Sequence, residues 1–118
     1  MRDRSPENEL RKATWKERLL HRLGLLQAFL VEGDSMLPVL KNGEVVLIAP
    51  TVGIAEGDIV LATHPYRPYV KIVKRIAAIE PTGDLILLGD NPAESTDSRS
   101  FGAIPRDHLI GMVVCSLR

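Results

Sequence analysis

The segment GDSMLPVL, Gly33 to Leu40, sets Ser35 between Asp34 and Met36 and then fixes the backbone at Pro38. A serine so placed is either a helix cap or a nucleophile held on a rigid turn. Pro38 and Gly43 leave little helix to cap. A hydroxyl is a poor nucleophile unless a base lies within hydrogen-bond reach. Histidine is the usual base, and the chain has three: His21 in a helical pattern, His64 in a Pro-flanked turn and His108 before the last apolar run. None sits in a triad signature such as G-x-S-x-G. Lysine is the other choice.

In YVKIVKRIAAIE the side chains of a strand alternate, so Val70, Ile72, Lys74 and Ile76 share one face and Lys71, Val73 and Arg75 the other. Lys74 is thus either the solvent end of an apolar face or an amine in an apolar pocket. Burial disfavours the charged form of an amine. Bringing a lysine from about 10.4 to near neutrality costs about 3.4–4 kcal/mol, and the neutral amine then serves as a general base. A third stretch, LLGDNPAESTDSRSFGAIPRDHLIG, places Asp90, Asn91, Ser95, Thr96, Asp97, Ser98 and Arg99 directly after an apolar run.

The elements that must position these groups are short. LQAFLVE, EVVLIAP, DIVLATH, YVKIVKRIAAIE, DLILLGD and LIGMVVCSLR read as strands, broken by KNGE, AEGD, HPYRP and PTGD, where Gly, Asn, Asp and Pro supply turns. Their close spacing predicts a mainly β fold, a curled antiparallel sheet or partial barrel. Ahead of it, residues 1–25 read as an N-terminal helical extension and 26–118 as the main domain. Ser5 is the expected N-cap, Pro6 the first helical residue, Glu7 and Glu9 its acidic first turn, and Gly24 its stop. Trp15, Leu19, Leu23 and Leu26 form an apolar stripe expected to pack on the domain or on a partner. Residues 1–22 hold seven basic and four acidic side chains, so peripheral contact with an anionic membrane is the alternative.

A chain of 118 residues, 45% hydrophobic, suffices for one domain. Zero formal net charge argues against a nucleic-acid partner. A single cysteine, Cys115, excludes an internal disulfide and a cysteine metal cluster, and no H-E-x-x-H pattern occurs, so no cofactor or metal is expected. The sequence shows neither a cleavable leader nor an apolar run of the roughly 20 residues a spanning helix needs, which points to a cytoplasmic protein.

GDSMLPVL, YVKIVKRIAAI and GDNPAESTDSRSFGAIPRDHLIG resemble, in order and spacing, the boxes of type I signal peptidases and the related LexA-type self-cleaving repressors, which are serine–lysine peptidases. The likeness runs from about Val31 to Val114. In THPYRP and GDNPAESTDSRSFG it is closer to the small soluble branch, the nickel-type superoxide dismutase maturation proteases. The resemblance implies a signal peptidase/LexA-type catalytic fold with Ser35 as nucleophile and Lys74, in the KR pair, as general base. Lys71 competes for that role but lacks the following arginine. Ser95 matches the hydroxyl that orients the lysine, with Thr96 next in line. Asp97 and Arg99 match an acid–base pair of the DSR segment, and Arg75 and Asp90 are expected to extend that network. The family's oxyanion hole uses the nucleophile's own N–H and in some members a hydroxyl two residues earlier. Here that position is Gly33, so Gly33, Asp34 and Ser35 form the turn and a second donor must come from elsewhere. Met36, Leu37 and Pro38 are substrate-pocket candidates. Val39 stands where threonine is usual, and the family's membrane anchors are not seen.

Three readings follow. The first is an endopeptidase that removes the N-terminal extension of a nickel superoxide dismutase precursor. The second is a peripheral signal-peptidase-like protease acting on other precursors. The third is a LexA-like non-catalytic or dimerisation module. Against the third, the chain has no Ala-Gly or Cys-Gly cleavage dipeptide and only about 25 residues before the β region.

Overall fold

A computed structural model of the chain describes residues 10–51 and 53–118. The apolar runs form six strands: β1 (Gln27–Leu30), β2 (Val45–Ala49), β3 (Ile59–His64), β4 (Arg67–Ile79), β5 (Leu85–Leu88) and β6 (Leu109–Ser116). They join in one antiparallel sheet of order β1-β2-β6-β3-β4-β5. Register shifts at Leu47/Ile48, Leu61/Ala62, Thr63/His64 and Ile76/Ala78 interrupt the ladders. Such irregularities bend strands and increase twist, which curls the sheet. The mainly β, curled antiparallel fold expected from the spacing is the fold observed.

The helix is shorter than expected. Helix α1 covers Trp15–Arg22, and its N-cap is Thr14, not Ser5, which with Pro6, Glu7 and Glu9 lies outside the described residues. Thr14 and Glu17 form a reciprocal capping box, a stronger start signal than any within residues 10–13. Those preceding residues are taken up by the sheet instead. Leu10 is buried in the core, Lys12 bridges Ser116, and Ala13 N–H donates to Ser116 O at 2.7 Å. Gly24, with φ +78°, ends the helix as expected, and Leu25 N–H returns to Leu20 O at 2.9 Å. No residue of α1 is buried. Trp15, Leu19 and Leu23 are 71%, 46% and 63% exposed, and of the expected stripe only Leu26 is covered. The helix caps its own ends but lays no apolar face on the domain.

Two core clusters hold the future site between them. One joins Leu10 and Val31 to Met36, Val39 and Leu40 of the serine turn and to Val73 of β4. The other joins Ile76 of β4 to Leu85 and Leu87 of β5 and to Ile104, with Ile72 packed against it. Because β4 alternates faces, Val73 feeds the first cluster and Ile72 and Ile76 the second. Lys74 lies on the strand that serves both, and the serine turn is pinned to the same core by three apolar side chains.

Candidate active site

The turn that carries Ser35 is held by its own backbone. Leu37 N–H reaches Asp34 O at 3.3 Å, and Val39 and Leu40 N–H both reach Met36 O at 3.0 Å. Gly33 at its entrance has φ +84°, a conformation that L side chains rarely adopt, and its N–H donates to Asn42 Oδ1 at 2.8 Å. The missing hydroxyl at this position is therefore matched to a backbone that disfavours any side chain there.

Lys74 is 5% exposed. Its Nζ donates to Ser95 Oγ at 2.9 Å, and Ser95 Oγ in turn donates to Asp97 Oδ2 at 2.6 Å. Burial lowers the lysine's pKa below its ordinary value; the nearby Asp97 charge opposes that shift and Arg99 assists it. A fully buried carboxylate would by itself be pushed up. Asp97 is instead held well below the usual range by the combined hydrogen bonds of the Arg99 side chain, Gly89 N–H, Ser95 and Arg99 N–H. Arg99 meets it at 2.5 Å. Asp97 stays ionised and accepts the hydrogen bond of the Ser95 hydroxyl. Ser95 is then left only as an acceptor for Lys74, and the lysine lone pair remains free to face elsewhere.

Ser35 and Lys74 line one cleft of about 560 Å³, together with Phe29, Val31, Glu32, Met36 and residues 69–73 of β4. No hydrogen bond joins Ser35 Oγ to Lys74 Nζ; the amine is engaged by Ser95. Catalytic contacts of this kind commonly close only with substrate in place. Arg75, next on β4, forms a forked pair with Asp90 at 2.9 and 2.8 Å and also donates to Gly57 O at 2.7 Å. Neither residue lines the cleft, and the pair ties the loop after β5 to the sheet. Lys71 lines the cleft but is exposed and makes no contact with Ser95. Thr96 is exposed.

Two of the expected pocket residues are not there. Met36 lines the cleft, whereas Leu37, half-buried, and Pro38, exposed, are not among its lining residues. The histidines are engaged elsewhere. His64 packs edge-on against Phe101 at 5.0 Å and accepts the Tyr66 N–H, His108 lies against Thr63 O, and neither lines the cleft.

Two residues to which the sequence assigns no role, Gly89 and Asn91, join the serine turn to the Ser95 loop. An added Cβ at Gly89 would stand 2.2 Å from Ser95 Oγ and 2.7 Å from Ser35 O, so this glycine is where the two serine loops touch. Asn91 donates its backbone N–H to Ser35 O at 2.9 Å and its side-chain Nδ2 to Asp34 O at 3.0 Å. The GDN triplet was the available signal, but nothing local in it points to Asp34.

A family model described as Peptidase S24-like matches residues 4–114. Mitochondrial inner membrane protease subunit 1 of Mus musculus is 35% identical, over 69% of this chain and 63% of that protein. The Mus musculus subunit 2 is 33% identical, over 63% and 57%. The ATP-independent inner membrane protease subunit 1a of Arabidopsis thaliana is 35% identical, over 69% and 64%. The chain thus spans a little under two thirds of the length of these relatives.

Proposed function

Because the chain belongs to the Peptidase S24-like family, we propose that it is a serine endopeptidase that processes precursor proteins, with Ser35 as nucleophile and Lys74 as general base. The observation that carries this reading is the buried Lys74 amine, oriented by Ser95 and lining the same cleft as Ser35. Neutral Lys74 takes the Ser35 hydroxyl proton as Oγ bonds to the scissile carbonyl carbon. The carbonyl electron pair moves onto oxygen, and the Ser35 N–H stabilises that oxyanion. The pair returns as the C–N bond breaks, and the Lys74 ammonium gives its proton to the departing amine. Water then attacks the acyl carbon as the Lys74 amine takes its proton. The Lys74 ammonium returns that proton to Ser35 Oγ as the acyl C–O bond breaks, which releases the acid and restores Ser35.

The cleft suits an extended peptide. Among the described residues, β4 is paired only to β3 between Arg67 and Lys74, and β1 only to β2. Residues from both open edges line the cleft, so a substrate strand can add its main chain there. The finer reading is that the substrate is the N-terminal extension of a nickel superoxide dismutase precursor, acted on in the cytoplasm. It rests on the likeness of THPYRP and GDNPAESTDSRSFG to that branch. Incubating purified protein with a nickel-free precursor and reading the new N-terminus by mass spectrometry tests it. A single cut that Ser35→Ala abolishes supports the reading, and an intact precursor rejects this substrate.

One observation favours a second reading, a peripheral protease of membrane-bound precursors. Trp15, Leu19 and Leu23 stand exposed beside exposed Lys16, Arg18 and Arg22, the composition of an interfacial helix. Among the described residues no helix is long and apolar enough to cross a membrane. Pelleting with anionic lipid vesicles separates the two readings.

A further inference from the structure

We propose that Asn91 is a positioning residue that sets the direction of the oxyanion-binding N–H of Ser35, a refinement that rests on the peptidase reading above. A trans peptide group holds its C=O and its N–H pointing opposite ways, so whatever grips one aims the other. The Asp34–Ser35 bond is trans, the Leu37–Pro38 bond being the cis one among the described residues. Asn91 Nδ2 grips Asp34 O at 3.0 Å and thereby turns the Ser35 N–H away from the Asn91 loop. Asn91 N–H grips Ser35 O at 2.9 Å, which turns the Met36 N–H away in the same manner. Among the described residues neither of these two N–H groups has a protein acceptor. Ser35 and Met36 both line the cleft. Two successive free N–H groups held by one residue form the kind of concave donor pair that stabilises an anion. The Met36 N–H is then the second donor that Gly33, with no hydroxyl, does not supply.

The grip is itself rigid. Asp90, next to Asn91, is forked to Arg75 on β4, and Asn91 O accepts Glu94 N–H at 3.0 Å as the chain enters a single 3-10 turn. Lys74 stands on the same strand as Arg75. The base and the oxyanion donors are therefore registered to one strand, although Ser35 reaches the site on a separate loop. Removing the Asn91 side chain frees the Asp34–Ser35 peptide plane while leaving Lys74, Ser95 and Asp97 untouched.

The test uses Asn91→Ala and Asn91→Asp in the full chain. The second keeps the shape, cannot donate when ionised, and covers the case in which the first fails to fold. The probes are the best-cleaved member of a synthetic peptide library, its aldehyde truncated at the cut, and the product peptide shortened by its last residue and amidated, which places no carboxylate at the oxyanion position. The hemiacetal oxygen of the bound aldehyde occupies the oxyanion position, whereas the product peptide forms no oxyanion adduct. We expect kcat to fall about 10–100-fold, with KM within about twofold, and aldehyde affinity to fall in step. Product-peptide affinity should hold in both variants and the acid-limb midpoint of kcat/KM in Asn91→Ala, since Lys74, the groups beside it (Ser95, Asp97 and Arg99) and Glu32 and Lys71 of the same cleft are unchanged. Wild-type turnover in both variants, or equal losses of aldehyde and product peptide, overturns the role of Asn91. If the wild type cleaves no peptide, or Ser35→Ala cleaves as well as the wild type, the peptidase reading itself fails.

Discussion

Gly89→Ala should be among the most damaging single-methyl changes in the protein. Gly89 does not have a positive φ, so alanine brings no backbone strain and the effect is one of space. The new Cβ would sit 2.2 Å from Ser95 Oγ, 2.6 Å from Ser95 Cβ and 2.7 Å from Ser35 O. Ordinary carbon contacts lie at about 3.5–4.0 Å, so the neighbours must retreat by about 1 Å. Ser95 Cβ and the Ser35 carbonyl are backbone-tethered and cannot swing aside. Their retreat separates the lysine-orienting hydroxyl from the nucleophile turn. Displacement of that size costs about 10²-fold in rate, and overpacking about 1–3 kcal/mol in stability. Peptide cleavage kinetics and a thermal melt measure both. A variant that cleaves within about threefold of the wild type and melts at the same temperature would refute the close approach of the two loops.

Three further outcomes follow from the same geometry. Lys74→Ala should abolish cleavage while Lys71→Ala retains most of it; the reverse order in a peptide assay would move the base to Lys71. Ser95→Ala should slow cleavage by about 10²–10³-fold, the scale of one lost catalytic hydrogen bond, and unchanged turnover would shift the orienting role to Thr96. Lys74→Met should stabilise the fold at pH 7 by about 1–2 kcal/mol, since a buried amine is replaced by an apolar side chain of similar length. The sign follows from burial holding the folded amine below its ordinary 10.5. The native state then binds fewer protons than the unfolded chain between the lowered value and 10.5. Wild-type stability gains from Lys74 as pH rises through that window, and the advantage of Lys74→Met shrinks with it. Denaturant melts at pH 7 and pH 10 show the convergence, and a constant difference would deny a lowered lysine.

The strands are legible because their apolar runs are closed by turn residues, and Gly24 marks the end of α1 for the same local reason. Strand β4, Arg67–Ile79, nevertheless runs past its apolar core and takes in Arg67 and Pro68 of the expected HPYRP break. The start of α1 was misplaced because Ser5-Pro6 and Thr14-x-x-Glu17 are both N-terminal signals. What excludes residues 10–13 from the helix is long-range. Leu10 goes into the core and Lys12 pairs with Ser116. Ser35 and Lys74 are legible as candidates from residue type and neighbours, while the choice of Lys74 as base and the role of Ser95 come from the family resemblance. Gly89 and Asn91 carry no local sign of a role, because the contacts that give them one, with Asp34 and Ser35, are far away along the chain. Of the pocket candidates, Met36 lines the cleft and Leu37 and Pro38 do not.

The pH dependence of kcat/KM for peptide cleavage, with Ser35→Ala and Lys74→Ala run beside the wild type, bears most directly on the pairing of Ser35 with a neutral Lys74. Wild-type activity should rise with pH through one deprotonation whose midpoint lies below 10.5, the ordinary lysine value, and both variants should be inactive across the whole range. Turnover that survives in Lys74→Ala with the same acid limb, or a limb that disappears in His64→Ala, would contradict it.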